Sequence, residues 1–291
     1  MRLSVYIPRV LMAGIGVLLG DIYRLTNNKR LQIVQTNIAL AFPECSPAQR
    51  ARLAREHFRV LMQCMLDVPI LWWARPGYLD RYVRIKGLEE YRRQYEAGKN
   101  IVLLSGHFVG LEMGGSIITR HFPNIGLIKP LRNPVIDWLI ARGRSRFGAQ
   151  LFLRDKGMRS IVKAIKSGYG FYYLPDEDHG HEKSVFVPLL GTDVAMITGA
   201  ARLIAISNAV AMPAYVRRLP WGRGYELIIH PPLENFPTGK DQEDAFCISK
   251  ELEKSILDVP AQYMWTYRLF HTRPDNEKSP YVRARDQRRK R

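Results

Sequence analysis

The residues best suited to chemistry lie in the stretch NIVLLSGHFVGLEMGG at 100–115, where His107 follows an apolar run and Glu112 stands five positions later. Histidine is the side chain whose ordinary pKa lets it take and return a proton near neutral pH. A carboxylate against one imidazole nitrogen fixes the tautomer and stabilises the imidazolium, so that the other nitrogen can act on a substrate hydroxyl. That is general-base catalysis without a protein nucleophile. Taken alone, the H-x-x-x-x-E spacing is common, and an ordinary capped helix is the favoured account of it.

Five residues of α-helix turn through about 500°, which would leave the two side chains about 140° apart. His107 is therefore expected in the turn ahead of a helix that begins near Phe108, with Glu112 reaching back to the ring and Gly106 permitting unusual backbone angles. The chain carries no G-x-S-x-G elbow, no H-E-x-x-H helix and no Walker loop, which removes the common hydrolase, metalloprotease and NTPase readings. Asp176, Asp178, His179 and His181 crowd into PDEDHGHEK, but their spacing fits no defined zinc or calcium motif. No metal is expected there, and turn formation after Pro175 is the simpler reading. Cys45, Cys64 and Cys247 lie far apart with no C-x-x-C pair, so they read as small buried hydrophobes rather than a disulfide or zinc framework.

These residues need a scaffold, and the hydrophobic pattern supplies one. Strand-like runs at 83–86, 101–104, 126–129, 151–153, 171–174, 210–216 and 225–230 alternate with helical patterns at 88–97, 134–144, 158–168, 198–209 and 241–258. Such alternation implies βαβ units, hence an α/β fold with a mixed, mostly parallel central sheet flanked by helices. Ahead of it lies a helical front. Residues 30–42 form one amphipathic segment, and Ser46-Pro47-Ala48-Gln49 gives an N-cap, an N1 proline and a capping-box partner for a second. The apolar face of that second helix can use Leu53, Phe58, Leu61, Met62 and Met65, and the run continues through VPILWWA at 68–74. Asn133-Pro134 caps the helix through Arg144 in the same manner.

From Val10 to Leu19 the chain reads VLMAGIGVLL, ten uncharged residues bracketed by Arg9 and Asp21. A full bilayer crossing takes about 20. The stretch widens to residues 5–25 only by accepting Pro8, Arg9, Asp21 and Arg24 near its ends, where charged side chains can snorkel toward headgroups. It reads as an N-terminal membrane anchor over residues 1–28, spanning or re-entrant; a buried soluble helix and a cleaved signal peptide are the alternatives. Arg24, Lys29 and Arg30 after the segment, against Arg2 and Arg9 before it, put the bulk of the chain on the cytoplasmic side.

Lys and Arg number 44 against 27 Asp and Glu, a formal charge of +17, which makes an ordinary neutral enzyme a poor fit and asks for an anionic partner. Residues 281–291 form a basic tail, with RARDQRRKR at 283–291. Nucleic acid is one candidate partner, but no helix-turn-helix, finger or aromatic-basic RNA signature accompanies the charge. A non-catalytic glycolipid-binding membrane protein is another, and the intact His107 and Glu112 argue against it.

Spread along the chain are NIALAFPE at 37–44, GHFVGLE at 106–112, KPLRNPVIDWLIARGRSRFG at 129–148, YLPDEDHG at 173–180, SVFVPLLG at 184–191 and PAQYMWTYRLFHTRP at 260–274. Together these resemble the bacterial lipid A biosynthesis acyltransferases, the lauroyl and myristoyl transferases of the lysophospholipid acyltransferase-like group. The resemblance implies an acyltransferase domain over 29–280 at the bacterial inner membrane. It implies transfer of a fatty acyl chain from the thioester of acyl carrier protein to a hydroxyl of a phosphorylated glucosamine lipid, with membrane lipids as partners. His107 would remove the hydroxyl proton, Glu112 would orient and charge-stabilise it, and no further cofactor would be needed. Arg144 would hold lipid phosphate or the developing oxyanion, with Arg132, Asn133, Asp176 and Asp178 also at the substrate site. An ordinary role for Arg144 at a helix C-terminus stays open beside this. The aromatic residues at 262–270 read as core.

Overall fold

The computed structural model describes residues 2–26, 28–153 and 157–281, and within them the apolar runs of the sequence pair into sheets. The strands are β1 (Val83–Lys86), β2 (Asn100–Leu104), β3 (Asn124–Ile128), β4 (Gln150–Leu153), β5 (Gly170–Tyr173), β6 (Ser184–Leu189), β7 (Thr192–Ile197), β8 (Ala209–Arg218) and β9 (Tyr225–Ile229). Seven form one sheet in the order β1-β9-β8-β2-β5-β3-β4, parallel at every pairing except β8 with β9. The mostly parallel sheet expected from the alternation is therefore present. β6 and β7 make a separate antiparallel hairpin, an element with no counterpart in the periodicity reading.

The helices are α1 (Arg9–Thr26), α2 (Asn28–Ala41), α3 (Pro47–Asp67), α4 (Pro69–Trp73), α5 (Pro76–Tyr82), α6 (Leu88–Glu96), α7 (Leu111–His121), α8 (Pro134–Ser145), α9 (Met158–Lys166), α10 (Gly199–Ser207) and α11 (Asp241–Asp258). The Ser46–Gln49 capping box opens α3 as read. Its run does not continue to residue 74, because Pro69 has no N–H to donate back and instead starts α4. The buried face of α3 also differs from expectation. Ala54, His57, Phe58, Cys64 and Asp67 point inward, while Met65 is exposed.

Central strand β2 is apolar and buried from Ile101 to Leu104, as a strand covered on both faces must be. One contiguous core extends from Ile33 to Tyr281. The segment after α11 belongs to it: Trp265 and Phe270 are fully buried, and Asn37 of α2 donates to the carbonyls of Trp265 and Tyr267.

Among the described residues no single helix is long and apolar enough to cross a membrane, and the spanning form of the anchor finds no support here. The 18 residues of α1 rise about 27 Å, short of a hydrocarbon core of about 30 Å. A bent pair of α1 with α2 passes by length and composition, at 96°. However, α2 buries Ile33, Val34, Ile38 and Ala41 against the body and so has no lipid-facing apolar stripe to offer. α1 packs along α3, where Gly16 and Gly20 bring its backbone against Gln63 and Arg59; a Cβ at either position would collide with them. Asp21 anchors the same contact by ion pairs to Arg55 and Arg59.

Candidate active site

The carboxyl ends of two neighbouring parallel strands create the site. β2 and β5 run in register with Leu104 opposite Tyr173, and the Ser105 N–H donates to the Tyr173 carbonyl at 2.9 Å. The turn carrying His107 and the loop carrying Asp176 therefore leave the sheet side by side, where open α/β sheets place ligands. Residues 69 positions apart in the chain meet: His107 Nδ1 lies 2.7 Å from Asp176 Oδ1, and the His107 backbone N–H donates to Asp176 Oδ2, also at 2.7 Å.

The partner of the imidazole at Nδ1 is thus Asp176, where the sequence pointed to Glu112. The local geometry explains the change. The helix begins at Leu111, three residues later than expected, because the closing segment pairs with the turn: Phe108 bridges Tyr263, Val109 N–H donates to the Gln262 carbonyl, and Met264 N–H donates to the His107 carbonyl. Gly106 is required for a different reason than the one anticipated. Its φ is not positive, but a Cβ there would press on Leu252, Tyr263 and the Asp176 carboxylate.

Asp176 is sealed, with its side chain 1% exposed, whereas the His107 ring is 16% exposed. Burial pushes the Asp176 carboxyl up, but the adjacent His107, its two hydrogen bonds and the Tyr263 hydroxyl at 2.8 Å outweigh that and hold it below the usual carboxylate range. An ionised Asp176 accepts, so Nδ1 carries the ring proton and Nε2 is the basic nitrogen. The Tyr267 ring packs edge-on against the imidazole, centroids 4.9 Å apart. Behind the turn, Tyr172 donates to Ser105 Oγ at 3.0 Å, and burial pushes its phenol up to about 12.

Glu112 sits in the first turn of α7, the positive end of the helix dipole, and is bound bidentately by Arg144: Nη2 to Oε1 at 2.5 Å and Nε to Oε2 at 3.0 Å. Arg144 Nη1 also donates to the Leu127 carbonyl at the end of β3. Burial weakens the guanidinium's hold on its proton, but the Glu112 hydrogen bond and charge more than compensate, raising its pKa above the ordinary value. Arg144 is therefore tied into the site and is not merely a helix-terminal cation.

The remaining candidates lie apart. Asn133 caps α8, its side chain accepting from the N–H groups of Val135 and Ile136, and Arg132 is exposed beside it. Asn133 and Arg144 stand eleven positions apart, about 16 Å along α8. Asp178 accepts from Thr272 N–H and Oγ1 and from Gly180 N–H, a clamp holding the Asp176 loop to the closing segment. Among the described residues no group of three His, Cys, Asp or Glu side chains could hold a metal. Sequence reasoning missed Tyr263 and Tyr267, treating their segment as core; Tyr263 is indeed buried but its hydroxyl reaches the Asp176 carboxylate. Of the basic tail at 281–291, Tyr281 is buried in the core, and 282–291 lie outside the described residues.

The family model for bacterial lipid A biosynthesis acyltransferases matches residues 1–272. The lipid A biosynthesis lauroyltransferase of Escherichia coli K12 is 34% identical over 280 residues, covering 96% of this chain and 91% of that protein. The palmitoleoyltransferase of the same organism is 30% identical over 281 residues with the same coverage, and the myristoyltransferase is 27% identical over 276 residues, covering 94% and 84%.

Proposed function

Because the chain belongs to the bacterial lipid A biosynthesis acyltransferase family and is an O-acyltransferase of that type, we propose that it carries an acyl chain from acyl carrier protein to a lipid A precursor hydroxyl, with His107 as general base. The observation that carries the mechanism is the 2.7 Å contact between His107 Nδ1 and the sealed Asp176 carboxylate. His107 Nε2 takes the proton of the acceptor hydroxyl as its oxygen attacks the thioester carbonyl. Asp176 stabilises the imidazolium that results. The tetrahedral adduct collapses with loss of the carrier thiolate, which recovers a proton from His107, so the ester and the free thiol are the products and no covalent enzyme intermediate forms.

Glu112 acts through Arg144. The pair fixes the start of α7, and the guanidinium keeps N–H groups beyond those given to Glu112 and Leu127, which suit a phosphate of the acceptor or the developing oxyanion. Neither attack nor collapse requires a metal or nucleotide.

The enzyme meets the inner membrane through the outward face of α1, where Val10, Leu11, Ile15, Leu18, Ile22 and Leu25 are exposed while Met12, Ala13, Gly16 and Gly20 face α3. Exposed Tyr6 and Trp221 lie at the N-terminal end of that helix, Trp221 beside Gly222, which packs on the Arg9 carbonyl. Aromatic side chains of this kind favour the headgroup region. The helix is proposed to lie in one leaflet rather than cross it.

The test uses purified full-length protein, acyl carrier protein thioester and a lipid A precursor in mixed micelles, with the mass of the lipid read by mass spectrometry. His107→Ala and Asp176→Ala remove the added acyl mass while the circular dichroism spectrum is retained. Acylation by both variants at the wild-type rate overturns the mechanism.

A further inference from the structure

The first turns of α8 stand clear of the body, with Leu131, Val135, Ile136 and Trp138 all exposed, Val135 at 64% and Trp138 at 58%. An apolar knob of this kind on a water-facing surface marks a contact site more often than chance. Its surroundings say which kind. Lys129, Arg132 and Arg142 are exposed around it, and the Arg142 guanidinium lies 5.5 Å from the centre of the Trp138 ring. From 129 to 146 the single acid is Asp137, whose carboxylate is held by the Leu131 N–H. Apolar tips ringed by cations, with an arginine over an indole, complement an anionic bilayer: the tips enter the acyl region and the cations meet lipid phosphate.

The opposite end of α8 is rigidly seated. Gly143 lies against Trp72, Arg146 donates to the Leu71 and Ala74 carbonyls of α4 and its C-cap, and α4 packs on the 3-10 turn Arg2–Tyr6 that leads into α1. One short helix thus supports both α1 and α8. We propose that the exposed start of α8 is a second bilayer contact, inserted into the same anionic leaflet as α1, and that it sets the height of the Arg144 end of the helix above the lipid. This rests on the one-leaflet reading of α1.

The experiment uses the full chain with vesicles of phosphatidylethanolamine doped with phosphatidylglycerol, part of the lipid carrying brominated acyl chains. The Trp138 signal is the emission lost in Trp138→Tyr. Bromine is expected to quench that signal, and Val135→Ser with Ile136→Ser is expected to lower vesicle partitioning about tenfold, an effect that shrinks when phosphatidylglycerol is omitted. Acylation of detergent-dispersed substrate by the same double variant should stay at the wild-type rate. If the chain sediments with vesicles, Leu11→Ser with Leu18→Ser releases it, and Trp138 is nevertheless unquenched, the α8 contact is wrong while the α1 reading survives. Failure of the unaltered chain to sediment overturns both. Loss of micellar activity in the α8 double variant, without bromine quenching, would make the knob part of the acyl site and equally overturn its role as a bilayer contact.

Discussion

Two carboxylates flank the His107 turn in opposite surroundings. Asp176 is sealed and takes three donors, two from His107 and one from Tyr263. Glu112 is about a third exposed and shares its oxygens with one arginine of similar exposure. A buried acceptor with fixed donors cannot reorient, so it suits the task of holding one tautomer in place. A half-exposed ion pair is screened by water and can exchange partners with an arriving anion. On the proposed mechanism the two residues of the H-x-x-x-x-E spacing serve separate arms, one for the proton and one for charge.

The largest effect belongs to the sealed arm. Asp176→Asn replaces an acceptor by an amide that favours the wrong tautomer, and kcat is expected to fall about a thousand- to ten-thousandfold, with binding of the acceptor little changed. Added to His107→Ala it should cost nothing more, because the pair acts as a unit. Turnover measured on the two single variants and the double variant decides; fully additive losses would break the assignment.

The closing segment also bears on stability, through a second histidine. His57 of α3 is fully buried, with Nδ1 donating to the Ala261 carbonyl of the closing segment and Nε2 without a hydrogen-bond partner among the described residues. Burial lowers its pKa to about 4 from 6.5, the Ala261 hydrogen bond opposing only in part. The folded protein therefore keeps the ring neutral where the unfolded chain already binds a proton. Stability is unaffected above pH 6.5 and is lost as pH falls toward 4, by up to about 3 kcal/mol. Urea midpoints across that range should show a shallower decline in His57→Gln than in the wild type. Parallel declines would remove His57 from the account.

How much of this was legible in the sequence depends on distance along the chain. Local rules placed the capping box of α3, the strand at 101–104 and the turn location of His107, since each depends on a few adjacent residues. The Asp176 contact depends on which strands are neighbours, and periodicity does not order a sheet; only the β2–β5 register brings residue 107 to residue 176. Helical spacing leaves Glu112 about 140° from His107 in an ideal helix. Arg144, 32 residues from Glu112, holds its carboxylate, a contact that no local spacing signals. The β6–β7 hairpin escaped because SVFVPLLG reads as one apolar run, its turn carried by Leu190 in a left-handed conformation rather than by a conspicuous turn pair.

The charge arm should respond less than the sealed one. Glu112→Gln keeps the side-chain shape but removes the charge that holds Arg144, and kcat/KM is expected to fall about ten- to a hundredfold, chiefly through KM for the phosphorylated acceptor. Arg144→Met in the Glu112→Gln background should add little. If Glu112→Gln instead matched Asp176→Asn in kcat, the separation of the two arms would be wrong.

The finest test removes a single oxygen. Tyr263 is buried, edge-on to Phe108 and Trp265, and its hydroxyl gives Asp176 a third hydrogen bond. Tyr263→Phe preserves the ring packing, so the turn should stay in place. The O–H helps hold the carboxylate ionised against the cost of burial, and without it Asp176 becomes more basic. A more basic carboxylate stabilises the imidazolium more strongly, which makes the base harder to regenerate. The acid limb of the rate profile should then move to higher pH, with kcat at neutral pH reduced about three- to tenfold. A purely structural role for Tyr263 would lower the rate at all pH values alike and leave the limb where it was. Measuring kcat from pH 5 to 9 separates the two, and an unmoved limb would confine Tyr263 to packing.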